Sequence, residues 1–578
     1  MGPSLIRRLG ALSLLLSSVI ASPLSKPEHL KSRAGTLAIT GVQDGGLQPR
    51  LEIRSLAADS TQWNLFLLAM IAYQGSDQNE LSSFYQIAGI HGYPLKPWDG
   101  VQAVGAGTSG YCTHGSNLFG PWHRPYLALH EQQVHAWGVK IAQQFKGSNS
   151  EAYQQASLAL RMPYWDWAAN PANNGPILPN VLSNPTAFVT YPNGSTATVP
   201  NPLYSYSFHP LIPSDLQNSA PFNIWNNTLR WPTSNNANAT SQNNLAEEQF
   251  EANLPNFRTQ IMTLFANWQF INANNSLQPY NRFSNKGSGS SGLGNVESIH
   301  DTVHTLTGGF IYYGHMSIVP VAAFDPIFWF HHANIDRLIA LWQAVYPDTY
   351  VEPTQQRAGT FTIQAGSTQD QNSPLTPFHR DTSGNFFSSA DVRNVERLGY
   401  SYPEIINHPD NTTLQQNIAA IYASPRPASR NDKQPPQPHF HATTYVGVFL
   451  GKSSARPDEW AKDPAYVGMH ATLGTQSMAP NDVIASSNVH LTDALIKKHD
   501  EGVLPDLNED TIINYLTANL EWKAQKGGTE IDISTLAGAV VTTESIEVAA
   551  PDALGTFSNY KWVGDFKIYP GVFDALGI

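Results

Sequence analysis

A chain of 578 residues exceeds one ordinary core and points to a large domain plus a smaller one. With 41% hydrophobic, 11% aromatic and only 13% charged residues it has ample material for a core, which excludes a disordered or polyelectrolyte chain. A net charge of -12 with no basic stripe to offset it argues against nucleic acid as a partner and favours a small, uncharged or zwitterionic substrate.

At the N-terminus, Arg7 and Arg8 precede an apolar run from Leu9 to Ile20 and the small residue Ala21. This reads as a secretory signal over residues 1–21, too short to span a bilayer, and no later stretch is long and apolar enough to do so. The expectation is a soluble, secreted protein with no membrane partner. Sequons at Asn193, Asn226, Asn238, Asn274 and Asn411 agree with export. Residues 22–50 form a polar, glycine-bearing lead, and the main domain is expected over 51–410.

Histidine dominates this main domain. Ten of the 19 histidines fall in two windows, 91–135 and 300–332, too clustered for packing alone. The first window holds His91, His114 and His123, with the only cysteine of the chain, Cys112, two residues before His114. A lone cysteine forms no intramolecular disulfide, so it is either a small buried hydrophobe or has a special role. From Pro125 to Phe145 the pattern is helical, with Leu127, Val134 and Ile141 on one stripe. Residues 170–295 are rich in Asn, Pro and Ser and read as long surface connections around a pocket.

The second window begins Glu297-Ser-Ile-His300-Asp-Thr-Val-His304. Spacing by four puts His300 and His304 on one helical face, with Glu297 a turn earlier on the same face. Next comes Phe324-Asp-Pro-Ile-Phe-Trp-Phe-His-His-Ala-Asn-Ile-Asp-Arg337, where Pro326 opens a helix to Val345 and Phe328, His332 and Ile335 share a stripe. Ile335, Leu338, Trp342 and Val345 continue its apolar side. His332 is expected to face inward and His331 elsewhere; His130, His135, His315 and His331 read as structural or surface residues. Two imidazole triads without carboxylate ligands suit copper, zinc, iron or nickel and leave room for an exogenous ligand. A zinc protease would carry Glu, not Asp301, after the first histidine. The natural architecture is a mainly α domain whose four-helix core holds two metals between facing helices.

Towards the C-terminus, Ser424 to Pro438 is proline-rich, basic and poor in apolar anchors, so residues 411–439 read as an exposed, protease-sensitive linker. Beyond it, His441–Leu450 and Val540–Val548 alternate as strands do, which makes 440–578 a β-rich domain.

These motifs together resemble the type 3 dicopper proteins, and within them the fungal tyrosinases, from about Arg50 to the C-terminal segment. The resemblance implies two copper ions, one held by His91, His114 and His123 and the other by His300, His304 and His332. It implies a thioether from Cys112 to the ring of His114. Glu297 matches a glutamate that orients a water able to help deprotonate a phenol; otherwise it is a solvated helix carboxylate. Phe328 matches an aromatic residue near the substrate ring, with plain core packing as the alternative. Asp336 matches a carboxylate that fixes a ligand histidine's tautomer, with a salt bridge to arginine as the alternative. Gly399-Tyr400-Ser401-Tyr402 resembles the motif that closes the catalytic domain against an N-terminal arginine, here expected to be Arg54.

The expected activity is that of a tyrosinase: ortho-hydroxylation of monophenols such as tyrosine, and oxidation of dopa and other catechols to o-quinones with dioxygen, leading to melanin-like pigment. The residue after His300 is often asparagine in family members that hydroxylate monophenols, and Asp301 stands here, so a catechol oxidase is the alternative. A haemocyanin-like dioxygen carrier fits less well, and a zinc hydrolase least. The C-terminal domain resembles one that covers the copper site in latent tyrosinases, so an activating protease is an expected partner. Phe440, Phe449 and Tyr466 are equal candidates to enter the pocket.

Overall fold

The computed structural model describes residues 36–422 except 105–108, 173–174, 267–277, 289–293 and 409. It also describes 432–433, 438–440, 572 and, apart from 454, 474–484, 487, 534–539, 542 and 550–560, residues 445–569. The expected signal at 1–21 and most of the expected cleavage segment 424–438 lie outside the described residues.

The principal helices of the body are α1 (Ser60–Gln74), α2 (Phe84–Gly89), α3 (Phe119–Ala142), α4 (Asn243–Ala266), α5 (Val296–Gly308), α6 (Ile327–Val345) and α7 (Asn411–Tyr422). Asp59 starts α1 by accepting the amides of Thr61 and Gln62 at 3.1 and 3.0 Å. Asn295 starts α5 by accepting the Ser298 amide at 2.8 Å, and Pro326 fixes the first turn of α6. Against expectation, α3 begins six residues before Pro125. Pro121 sits in the first turn, where no amide partner is needed, and Pro125 removes only one helical bond. Burial of nearly every later side chain carries the helix through.

Helix α1 packs on α3, α3 on α6 and α6 on α5, which gives the four-helix core; α4 lies against α5 from outside. The stripes expected at Leu127, Val134 and Ile141 and at Ile335, Leu338, Trp342 and Val345 are buried in it. Residues 170–295 are more than surface connection. They contain the hairpin Thr186–Thr190/Thr196–Pro200 and the whole of α4, whose Phe250, Phe257, Ile261 and Leu264 enter the core.

A buried ionic cluster closes the body. Asp336 accepts Arg124 Nε at 2.6 Å, Arg50 at 3.3 Å and the hydroxyls of Tyr400 and Tyr402 at 2.7 and 2.6 Å. Arg50 also reaches Glu131 at 2.9 Å and lies 3.5 Å over the Tyr400 ring. The arginine of the tyrosine motif is therefore Arg50, not Arg54, which instead holds Glu52 and the carbonyls of Pro176 and Ile177. The cause is register: Gln48–Pro49 pairs in parallel with Tyr400–Ser401, which puts the next residue beside the tyrosines. Gly399 permits that pairing at φ +79°, where a Cβ would stand 1.7 Å from the Val42 carbonyl oxygen. Gly399→Ala is expected to destabilise by more than about 1 kcal/mol, read as a lower thermal midpoint.

The first part of the expected linker is not exposed. Leu414, Ile418 and Tyr422 of α7 are buried at helical spacing, and the Tyr422 hydroxyl donates to Asp166 at 2.8 Å. Further on, an antiparallel sheet runs in the order Tyr466–Ala471, Tyr445–Leu450, Leu520–Lys526, Thr529–Ile531. Strands also occur at Val540–Val541 and Glu544–Ala549, among short helices. Every residue of Tyr445–Leu450 is buried. Tyr445 joins the core of the helical body, while Val446, Val448 and Leu450 join a second cluster with Leu495, Leu516 and Trp522. Helix α4 grips the neighbouring strand through Asn253, which accepts the Met469 amide and contacts the Tyr466 hydroxyl, both at 3.2 Å.

Candidate metal centre

Each histidine of the two expected triads is brought to one buried space between α3, α5 and α6. His91 follows α2 in a tight turn, and Gly92 lets that turn close on Pro320, where a Cβ would stand 2.2 Å from the Pro320 backbone. The His91 Nδ1–H thereby donates to the Val319 carbonyl at 2.8 Å. His123 on α3 donates through Nδ1 to Phe119 O at 2.7 Å, and His304 on α5 to Met316 O at 2.7 Å. His300 donates through Nδ1 to Asp301 Oδ1 at 2.9 Å. With Nδ1 protonated in all four, each Nε2 is a bare lone pair turned inward.

That arrangement calls for a cation. Nε2 of His300 and Nε2 of His304 each lie 3.1 Å from Nε2 of His332. One proton at most can sit among the three, so hydrogen bonding leaves them unsatisfied, whereas a metal accepts all three. Opposite, His91 Nε2 is buried with no hydrogen-bond partner. The His91, His114 and His123 rings stand 5.7 to 6.0 Å apart, and the His123 ring stacks on that of His332 at 4.4 Å. Burial pushes the pKa of His91 down to about 4 and holds the other five well below the usual imidazole range, so all six are neutral donors at neutral pH.

His331 is neither exposed nor turned away. It is wholly buried and stacks 5.1 Å from His300, with a donor atom within 4.8 Å of those of His300, His304 and His332. Its tautomer separates it from them: Nδ1 accepts the Trp167 indole N–H at 3.1 Å, so the proton sits on Nε2. His130, His135 and His315 are buried as well; His130 stacks on Trp329 at 3.9 Å.

Cys112 Sγ lies 3.5 and 3.9 Å from the two ring nitrogens of His114 and 3.4 Å from His123 Nε2. Burial first, then the Glu297 charge, push its thiol well up. Phe328 stacks on His332 at 4.0 Å and meets His91 edge-on at 4.8 Å, so it is at once core and wall of the space. Glu297 is wholly buried and accepts the amides of Gly115 and Lys286 at 2.8 and 3.0 Å. Burial raises its pKa against the pull of Lys286.

Asp336 does not touch a histidine ring nitrogen. It is spent on Arg124, Arg50 and two tyrosines, so the salt-bridge alternative is the one realised. The carboxylate that fixes a histidine tautomer is Asp301, pushed up to about 7 by burial despite Lys286. In the sequence Lys286 reads as an ordinary loop lysine in a Ser- and Asn-rich stretch. Its burial follows only from two acidic residues one turn apart on α5 that face the same point. Of the candidates to enter the pocket, Phe449 packs on Trp460 and Tyr466, and Tyr466 is held by Asn253; the Phe440 side chain lies outside the described residues.

Two neutral imidazole triads facing one another inside a four-helix core define a binuclear copper protein of the type 3 class. Residues 81–345 match the family model for the common central domain of tyrosinase, and 436–543 that for the tyrosinase C-terminal domain. The chain belongs to the tyrosinase family. It is 37% identical to a tyrosinase of Neurospora crassa over 67% of this chain and 58% of that one. It is 35% identical to a tyrosinase of Podospora anserina over 68% of this chain and 70% of that one. In structure it resembles recombinant mushroom tyrosinase, with a TM-score of 0.78 and 24% identity over 92% of this chain and 98% of that one, a likeness of fold.

Proposed function

We propose that the protein is a tyrosinase that ortho-hydroxylates monophenols and oxidises catechols to o-quinones, the precursors of melanin-type pigment, with His91, His114 and His123 holding one copper and His300, His304 and His332 the other. The observation that carries this is the convergence of unprotonated Nε2 atoms in a buried space. The copper pair would supply the two-electron reduction of dioxygen that oxidises the ring. The chain's own residues hold the six imidazoles neutral and oriented, and exclude bulk water. Phe328 offers an aromatic face beside His332 for a phenolic ring. Glu297, gripped by two amides and made more basic by burial, is placed to take a phenol proton through water.

Oxygen uptake by the copper-loaded, linker-cleaved protein with a monophenol and with the matching catechol tests the proposal. Uptake with both, and quinone from the monophenol, is the expected result. Uptake with the catechol alone makes it a catechol oxidase, a reading favoured by Asp301 where asparagine is frequent. Glu297→Gln is expected to slow monophenol hydroxylation about 10²- to 10⁴-fold while catechol oxidation falls far less.

Cys112 is proposed to be joined to His114 by a thioether, its S–H and a ring C–H giving way to a C–S bond while dioxygen at the copper pair would take up the two electrons and two protons, which would remove a sulfur that competes for copper beside His123. Peptide mass spectrometry of copper-loaded protein should find the two residues linked, with two hydrogens lost; separate, unlinked residues would refute the bond. The seat of the sheet on α4 and α5 supports latency, relieved by a protease cutting within 424–438. Among the described residues no helix is long and apolar enough to cross a membrane, and secretion is proposed from the N-terminal segment.

A further inference from the structure

Lys286 is a lysine with almost no contact with solvent, its side chain 3% exposed. Its Nζ lies 2.6 Å from Asp301 Oδ2 and 3.7 Å from Glu297 Oε1. The other Asp301 oxygen accepts Nδ1–H of His300 at 2.9 Å. The amide of Leu473, from the segment after the sheet strand, approaches Asp301 Oδ2 at 3.5 Å. Glu297 and Asp301 are both wholly buried and one helical turn apart on α5, where two like charges oppose one another. Whichever partner holds the shared proton, the Lys286–Asp301 pair carries no net charge, so Glu297 is left as the only unbalanced carboxylate of this group.

We propose that Lys286 is a positioning residue for the second metal position: paired with Asp301, it forms a neutral acceptor that holds the His300 ring. Aspartate alone would put a naked charge beside Glu297, and lysine alone would have only the more distant Glu297, at 3.7 Å, to balance its buried ammonium. The two residues depend on each other. The proposal rests on the assignment of His300 to the second copper, which the copper content of the parent chain tests separately.

The experiment takes the full chain and its Lys286→Met, Asp301→Asn and Lys286→Met/Asp301→Asn variants, loads each with copper, and titrates with a copper(I)-specific chelator. Thermal unfolding of the copper-free proteins is recorded in parallel. Lys286→Met is expected to give up one of its two coppers at about 10- to 100-fold lower chelator, the size of effect seen when a ligand's supporting partner is removed. The other copper, that of His91, His114 and His123, should be held as in the parent, and the double variant should recover most of the lost affinity and thermal stability, because its neutral amide still accepts from His300. Parent-like retention in Lys286→Met, equal loosening of both coppers, or a double variant no better than the singles would overturn the proposal. If Lys286→Met does not fold, recovery of folded double variant supports the pairing, and failure of both overturns it.

Discussion

Replacing His332 with alanine is expected to strip one copper from the loaded protein and end oxygen uptake with phenols and catechols alike, while His331→Phe keeps both metals. The two residues are adjacent, equally buried and both within reach of His300, so proximity does not separate them. Protonation does. Trp167 donates to His331 Nδ1, which leaves the proton on Nε2 and no lone pair for a metal, whereas His332 Nε2 receives two bare nitrogens at 3.1 Å. The cost of His331→Phe is structural: the buried Trp167 N–H loses its acceptor, a loss of about 1–3 kcal/mol in stability. Elemental analysis and an oxygen electrode distinguish the two outcomes. Loss of copper from His331→Phe with retention in His332→Ala would reverse the assignment.

Asp336→Ala is expected to be the most destabilising single change in the body, by about 3–5 kcal/mol, because it leaves Arg124 and Arg50 buried with one shared counter-charge removed. Arg50 keeps Glu131, and Arg124 keeps the carbonyls of Val392 and Arg393, but neither set replaces a carboxylate between them. The same cluster sets an acid limit. Burial pushes Asp336 upward, but Arg124, Arg50 and the two tyrosine hydroxyls outweigh it and hold its folded pKa below the usual value. A depressed folded pKa means that its contribution is complete above the unfolded value, about 3.9, and is lost as pH falls through the folded one. Urea unfolding of the parent should weaken below about pH 4, and Asp336→Ala should flatten that part of the profile. An unchanged acid limb would show that other carboxylates govern it.

Much of the site was legible because its determinants are local. His300 and His304 share a face by spacing, and the run from Phe324 to Arg337 places His332, Phe328 and Asp336 by helical period alone. What lay beyond reach depends on contacts distant in sequence. Nearness in the chain points to Arg54 as the partner of the tyrosines, but the parallel pairing of Gln48–Pro49 with Tyr400–Ser401 selects Arg50. Asp301, not Asp336, meets a histidine ring nitrogen, because Arg50 and Arg124, 74 residues apart in the chain, converge on Asp336. Helix α4 was obscured by asparagines that composition assigns to loops. Asn253 and Asn256 are instead buried, and their amides meet the backbone of the C-terminal sheet segment. Helix α7 was hidden by its nearness to the proline-rich stretch, although Leu414, Ile418 and Tyr422 already stood at helical spacing.

The strand Tyr445–Leu450 belongs to two cores at once, and this separates two things that a peptide-bond cut is usually taken to do together. Hydrolysis between α7 and that strand would sever the backbone without solvating either apolar face. The product should migrate as two bands under denaturing electrophoresis and as one particle in native chromatography. Uncovering the centre would then be a dissociation equilibrium, governed by dilution and by whatever solvates the sheet, rather than by the protease alone.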